Sequence, residues 1–471
     1  MKRFIKTISV TLALLLFLLP ITVFAGVTSE GKNYVMESSY ANVDWDNWKA
    51  YKVQLHCHTN ASDGYLTVKE VVQKSYDLGY DAVAITDHGT INKGWNVVPD
   101  LVPIIRLVKY ERTELADIVP LTDEEYNAYL NGTAPTTNGT VRENGMLDIP
   151  KGIELNAATP IADCHLTGYF SDYGQGLIGV YGDYETPSKG VKDAGGISML
   201  SHVGEYVYTD KDSENYVGQP VDEYYVNKFS RLFLDNAGSS VGMGINSATD
   251  AHTRCDRILY DSILQKTIPH GVVPWGFTFS DSHDEASLNN AYTMHYMPEL
   301  SNVDLRYNME TGAFFSVSHF SNGVELNGMR EMPEYIEEEV DAYSNDTPLV
   351  TRIDIDEELD TISIEGENFD TITWVSDGKV LKRGGLEATT LDLDDFKKIG
   401  CYVRFYITGE HGICYSQPIV IREEDVALKS EEVPPTIDTS VYLRKLITFL
   451  DRILFQNSVI VDIFKDVVLG Y

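Results

Sequence analysis

KVQLHCH at residues 52–58 and DAVAITDHG at residues 81–89 each run from an apolar stretch into a cluster of ligand-type side chains. The first reads as a buried strand ending in His56 and His58. Residues i and i+2 of a strand share a face, so the two imidazoles converge while Cys57 turns into the core. Residues 81–86 are nearly all apolar, the signature of a parallel strand covered on both faces. That strand delivers Asp87 and His88. Between the two, residues 67–78 read as a helix, with Thr67 as N-cap, Glu70 three residues on, an apolar stripe of Val68, Val71, Val72 and Tyr76, and Gly79 as the stop.

The β-α-β rhythm continues through expected strands at 153–155, 165–170, 196–201, 242–246 and 275–280, with helices expected at 222–236 and 250–266. Strands alternating with helices over such a length predict a parallel α/β architecture, a barrel in preference to an open sheet. Candidate ligands fall at the ends of these runs, where Glu154, His165, His202, Asp281 and His283 join His56, His58, Asp63 and His88. Imidazole and carboxylate together build Zn, Mn and Fe sites. A buried carboxylate or imidazole without a partner costs several kcal/mol, so a cluster of this kind needs cations or hydrogen bonds to persist. A multinuclear centre of divalent ions (Zn, Mn or Fe) is therefore expected, with Asp87 orienting its neighbour His88 rather than ligating. His252, His270, His295, His319 and His411 fall outside the pattern, and His319 lies nearest to it.

The chain has 471 residues, 43% of them hydrophobic, and a net charge of −34, which excludes global disorder and disfavours a stable nucleic-acid partner or an anionic surface unless metal ions reverse the local field. Residues 1–25 have the basic start, apolar run and small final residue (Ala25) of a signal peptide, and predict a secreted or cell-surface protein, with an uncleaved anchor as the alternative. Removing them takes three cations and no acids, and the charge to −37. Residues 26–330 form the expected barrel region, with an insertion or lid at 93–150 carrying few regular signals; Lys93 and Arg106 lie in or near it as candidate substrate contacts. Glu334 opens an acidic run to Asp341, expected as a solvated face or linker. Residues 345–425 break into short alternating segments, expected as a small β-sandwich of immunoglobulin-like type. A linker at 426–440 precedes residues 441–471, an amphipathic helical tail with Leu443, Leu446, Ile447 and Leu450 on one side. It suits docking, oligomerisation or contact with a membrane surface. Cys401 and Cys414, in consecutive predicted strands, are the candidate disulfide.

In order along the chain, LHCHTNASDG, AITDHG, KGIELN, CHLTGYF, LSHVG and FSDSH resemble the motifs of the PHP (polymerase and histidinol phosphatase) superfamily of metal-dependent phosphoesterases over roughly residues 50–320. The stretch from Ala291 to Phe315 is similar to its CehA/McbA-type metallohydrolase branch. The resemblance implies a distorted (βα)7 barrel with its metals in a cleft at the strand ends. By motif, it assigns His56, His58, Glu154 and Asp281 to one metal, His165 and His202 to a second that shares Glu154, and Asp63, His88 and His283 to a third. Val203 stands where a proline often follows the histidine, and Gly244 where an acid is common. Both departures reshape the substrate wall and leave the ligands in place.

The expectation is thus a secreted hydrolase that cleaves phosphoester bonds of a small anionic or phosphorylated substrate, a phosphomonoester or phosphodiester such as a nucleotide or a nucleic-acid end. Metal-activated hydroxide would attack phosphorus, with Glu154, Asp281 and His202 at the chemical centre. The same device attacks the carbonyl of a carboxyl ester, amide or carbamate, the first alternative. The second is a non-catalytic cell-surface binding protein.

Overall fold

The apolar runs become strands close to where their residues place them. The structure, a computed structural model, describes residues 32–110, 115–142, 144–157, 164–179, 183–207, 221–247, 256–319, 325–326, 329–330 and 346–436. The expected signal peptide at 1–25, the acidic run at 334–341, His252 and the expected amphipathic tail at 441–471 lie outside them.

Strands β1 (Tyr34–Glu37), β2 (Lys49–Gln54), β3 (Ala82–Val83), β4 (Leu147–Asp148), β5 (Ile153–Asn156), β6 (His165–Tyr169), β7 (Ile197–Leu200), β8 (Ser240–Ser247), β9 (Trp275–Phe279), β10 (Ala291–Met297) and β11 (Phe314–Ser318) span the first region. Helices α1 (Val68–Asp77), α2 (Ile104–Tyr110), α3 (Asp123–Leu130), α4 (Glu185–Asp193), α5 (Glu223–Asp235), α6 (Asp256–Thr267) and α7 (Asn302–Thr311) lie between them. A short pair, β12 (Glu325–Leu326) and β13 (Met329–Arg330), precedes β14 (Leu349–Asp356), β15 (Thr361–Glu367), β16 (Thr371–Ser376), β17 (Lys379–Gly384), β18 (Thr390–Asp392), β19 (Tyr402–Gly409), β20 (Gly412–Tyr415) and β21 (Ile419–Glu423). Helix α1 starts on the expected capping box, in which the Glu70 amide donates to the Thr67 hydroxyl and the Thr67 amide donates to the Glu70 carboxylate at 2.8 Å. Among the described residues no helix is long and apolar enough to cross a membrane.

The chain folds as mixed α/β, but the expected parallel order holds only in part. Strands β5 to β9 form one five-stranded sheet in sequence order. Strand β6 runs antiparallel to both β5 and β7, whereas β7, β8 and β9 are parallel. The reason is the connection after β5: it is shorter than the dozen or so residues that a parallel crossover requires, so the chain must turn back. Strands β2, β3 and β4 are parallel neighbours in a second sheet of eleven strands. The two sheets meet at the strand ends through isolated bridges, Cys57 with Ser282 and His88 with Glu154. Val53 and Leu55 from β2 and its end, Tyr169, Met199, Phe277, Phe279 and Phe314 share one buried cluster behind those ends. Each such side chain stabilises the fold by roughly 1.5–3 kcal/mol.

The segments expected as a separate sandwich do form strands, and β14, β15 and β18 make a three-stranded sheet. The rest join the large sheet. Strand β20 pairs with β11 (Val317 opposite Cys414), and β21 pairs with β1 (Met36 opposite Ile421). Val350, Ile362 and Leu391 of the small sheet pack in one core with Trp374, Phe405, Phe315 and Tyr40, so residues from both ends of the chain share an interior. Cys401 and Cys414 are free thiols. Cys414 pairs across from Ile407, six residues along β19 from Cys401, a separation of about 20 Å where a disulfide needs less than about 7 Å. The strand register rules the bond out.

Candidate metal centre

Six segments deliver the nine candidate ligands to one place. His56 and His58 follow β2, Asp63 lies on the loop after them, His88 follows β3, Glu154 sits in β5, His165 opens β6, His202 follows β7, and Asp281 and His283 follow β9. His165 departs from the expected pattern, because it stands at the start of its strand. Since β6 is antiparallel, its first residue lies at the same edge as the last residues of β5 and β7, and the Ser201 amide donates to the His165 carbonyl there. The reversed strand therefore brings a ligand to the site that a parallel one would carry away.

Glu154 is the hub. Its Oε1 lies 3.4 Å from His56 Nε2, 2.9 Å from His165 Nδ1 and 3.2 Å from His202 Nε2. Its Oε2 lies 3.1 Å from His58 Nε2 and 3.3 Å from His88 Nδ1. Asp281 Oδ1 is 3.2 Å from both His56 Nε2 and His58 Nε2, and Asp63 Oδ2 is 3.1 Å from His283 Nε2. Three groups have ligand atoms all within 4.8 Å of one another: His58, Asp63, His88 and His283; His56, Glu154, His202 and Asp281; and His88, Glu154 and His165. The nine residues thus come together, in a partition that differs from the motif-based one: His58 lies with Asp63, His202 with His56, and His88 serves two groups. His295 and His319 are in none of them.

Groups outside the cluster aim the rings. Thr86 Oγ1 is 2.7 Å from His56 Nδ1, and the Asp281 carbonyl is 2.9 Å from His283 Nδ1, so each ring turns Nε2 to the centre. Asp87 does not touch a ring nitrogen; it accepts from the Thr59 amide (2.8 Å), the Thr59 hydroxyl (2.7 Å) and the Ser62 hydroxyl (2.6 Å), tying down the loop that presents Asp63. Phe279 stands edge-on to His56 with ring centroids 5.1 Å apart. Its ring fills the space over Gly244, where a Cβ would come within 2.7 Å of it. An acid at position 244 would displace that ring, which accounts for the glycine. Thr86, Thr59, Ser62 and Phe279 carry no recognisable signal in the sequence beyond their nearness to ligand motifs. His202 (φ 24°) and Asp281 (φ 48°) hold left-handed backbone, a strain that concentrates at functional sites. Lys93 pairs with exposed Asp100, and Arg106 is wholly buried 3.7 Å from Asp117, so Arg106 packs the insertion and is not an exposed contact.

Burial presses the charged forms of these groups out, and their neighbours answer. Burial would raise the Glu154 carboxyl, but the charges of His56, His165 and His88 outweigh it and hold it well below the usual range. Burial pushes His88 down to about 3 and also lowers His56, which keeps both in the neutral form that ligates. On His58 burial is overcome by the nearby carboxylates of Asp281 and Asp63, and the ring is raised. His56 Nε2, His58 Nε2, His88 Nδ1, Glu154 Oε2 and Asp281 Oδ1 are buried and make no hydrogen bond. Lone pairs and carboxylate oxygens facing one another unpaired call for cations, and hard–borderline N and O donors fit Zn, Mn or Fe. The residues present suit the expected metals.

Residues 54–177 match the PHP domain family. This stretch is a PHP domain. It contains His56, His58, Asp63, His88, Glu154 and His165, and the remaining three ligands lie beyond its end. Over 40 residues the chain is 48% identical to a 5'-3' exoribonuclease of Haemophilus influenzae, and it spans only 15% of the length of that curated relative. Among solved structures it is similar to a two-domain protein containing a predicted PHP-like metal-dependent phosphoesterase from Bacteroides vulgatus, with 14% identity and a TM-score of 0.39 over 80% of this chain and 96% of that one. It is also similar to a lesion-specific endonuclease from Pyrococcus furiosus, with 11% identity and a TM-score of 0.31 over 56% of each chain.

Proposed function

We propose that the chain is a metal-dependent hydrolase of phosphoester bonds, with two or three divalent ions held by the nine clustered residues. The observation that carries it is Glu154, whose two oxygens lie within 3.4 Å of five imidazoles. A carboxylate so placed would hold divalent ions together with the histidines around it. Bound divalent ions supply Lewis acidity and a water acidic enough to ionise near neutral pH. The protein's own part is to aim the donors: Thr86 and the Asp281 carbonyl orient two rings, Asp87 holds the Asp63 loop, and Phe279 walls the centre off from water. In a chain of net charge −34 the ion cluster is the local positive field for an anionic substrate. The basic and apolar start at residues 1–25 supports the proposal that the enzyme works outside the cell.

Metal analysis of the purified protein, followed by assay on a chromogenic phosphodiester, a phosphomonoester and a carboxyl ester, tests the reading. At least two ions per chain and turnover of a phosphoester are expected. Less than one ion per chain sinks the metal centre, and cleavage of the carboxyl ester alone transfers the assignment to carbonyl chemistry.

A further inference from the structure

An apolar patch lies beside the metal centre on the insertion and the segment that clamps it. Leu101, Leu107 and Val108 on and before α2, with Leu177 and Ile178 opposite, are exposed, Leu107 by 43% and Leu177 by 50%. The Ile104 amide donates to the Leu177 carbonyl at 2.7 Å, and the Gln175 side chain donates to the Leu101 carbonyl, so the two segments form one surface. Tyr65, 64% exposed, extends it toward the site, and Lys109 Nζ stands 4.3 Å from the Tyr65 ring.

The patch is tied to the ligands at three points. The Tyr65 amide donates to the His283 carbonyl at 2.7 Å, the Gly176 amide donates to the carbonyl of Gly89 next to His88, and Asn60 on the Asp63 loop donates to the Asp117 carbonyl. Ala61 of that loop packs with Val102 and Ile118 of the insertion. Contiguous exposed apolar surface on a soluble domain marks a ligand groove or interface. Here it abuts a centre that would present cations to an anion, and α2 carries Lys109 at its end with no acid along the helix, in a chain that has 71 of them.

Building on the phosphoesterase reading, we propose that the substrate is an amphiphilic phosphoester, in which an alkyl or acyl chain beside the phosphate lies along Leu101, Leu107, Val108, Leu177 and Ile178. Binding is separable from turnover. Calorimetry on the manganese-loaded full chain with methyl-, butyl- and octylphosphonate, all below their micelle concentrations, should show affinity rising about threefold to fourfold per added methylene until the patch is filled. The same order is expected in kcat/KM for p-nitrophenyl phosphodiesters with methyl to octyl groups. In Leu107→Ser/Val108→Ser the octyl-to-methyl affinity ratio should fall toward one. Equal affinity for methyl- and octylphosphonate in the wild-type protein overturns the proposal, whatever the variant does. Chain-length-dependent binding without hydrolysis of any phosphoester supports the patch and sinks the phosphoesterase reading instead.

Discussion

Glu154 concentrates more of the centre's chemistry than any other residue. Five imidazoles face its two oxygens, and three of them, His56, His165 and His88, hold its carboxyl well below the usual range against burial. Glu154→Ala should therefore cost more than one ion per chain and lower turnover about a thousandfold, roughly 4 kcal/mol of transition-state stabilisation. Metal content by atomic emission checks the first part, and loss of a single ion would contradict the bridging role. Thr86 acts at one remove, through Nδ1 of His56. Thr86→Val removes the acceptor that sets the ring's tautomer and should weaken metal binding about 10- to 100-fold with the fold intact, as read by competition with a chelator. At this scale the residues that cluster are legible in the sequence, because His and acid at strand ends are chemically distinctive. Their division among ions is not, since it depends on where side-chain atoms meet across two sheets, and no spacing along one strand records that.

Strands and helices stand close to where the apolar periodicity places them. α5 at Glu223–Asp235 answers the expected 222–236, and β9 at Trp275–Phe279 the expected 275–280. Direction is another matter: a short buried strand such as residues 165–170 reads the same whether its neighbours run with it or against it. The insertion at 93–150 also holds more order than its loops and prolines suggest. Helix α3 starts on Thr122 and Glu125, the same capping box as Thr67 and Glu70, a signal present in the sequence. Asp148 fastens the two ends of this insertion, accepting from the Trp95 amide at 3.1 Å and from the Asn92 side chain at 3.3 Å. Burial pushes its carboxyl up to about 7, against the pull of those donors and of Tyr126. The unfolded chain releases that proton near pH 4 and the folded protein near pH 7, so between them the folded state binds more protons. Stability from this group is thus present below pH 4 and is lost as the pH rises toward 7, by up to about 1.4 kcal/mol per unit. Urea midpoints at pH 5 and pH 7 should differ less in Asp148→Asn than in the wild-type protein; an unchanged difference would rule out Asp148 as the source.

Over the whole molecule the large sheet crosses the boundary that composition suggests near residue 330. Composition marks where the segments become short and alternating, but it carries no record of which edge strand they join. Because β11 ends on β20 and β1 on β21, a fragment of residues 26–330 would expose the edge of β11 and strip Phe315 and Tyr40 of their partners in the shared core. It should be recovered as aggregate, and a monomeric fragment with a cooperative thermal transition would refute the dependence.

At their strand ends the two sheets meet at the bridges of Cys57 with Ser282 and His88 with Glu154, in front of the core they share, and the nine clustered residues straddle that seam. His56, His58 and His88 reach in from one side, Glu154, His165, His202 and Asp281 from the other. A cation lodged there is a rivet between two plates. Free metal at a thousand times its dissociation constant would add about 4 kcal/mol to the fold from each ion bound only by the folded state. The melting temperature would climb with the logarithm of the surrounding metal concentration, and the persistence of the fold would itself become a gauge of the metal supply.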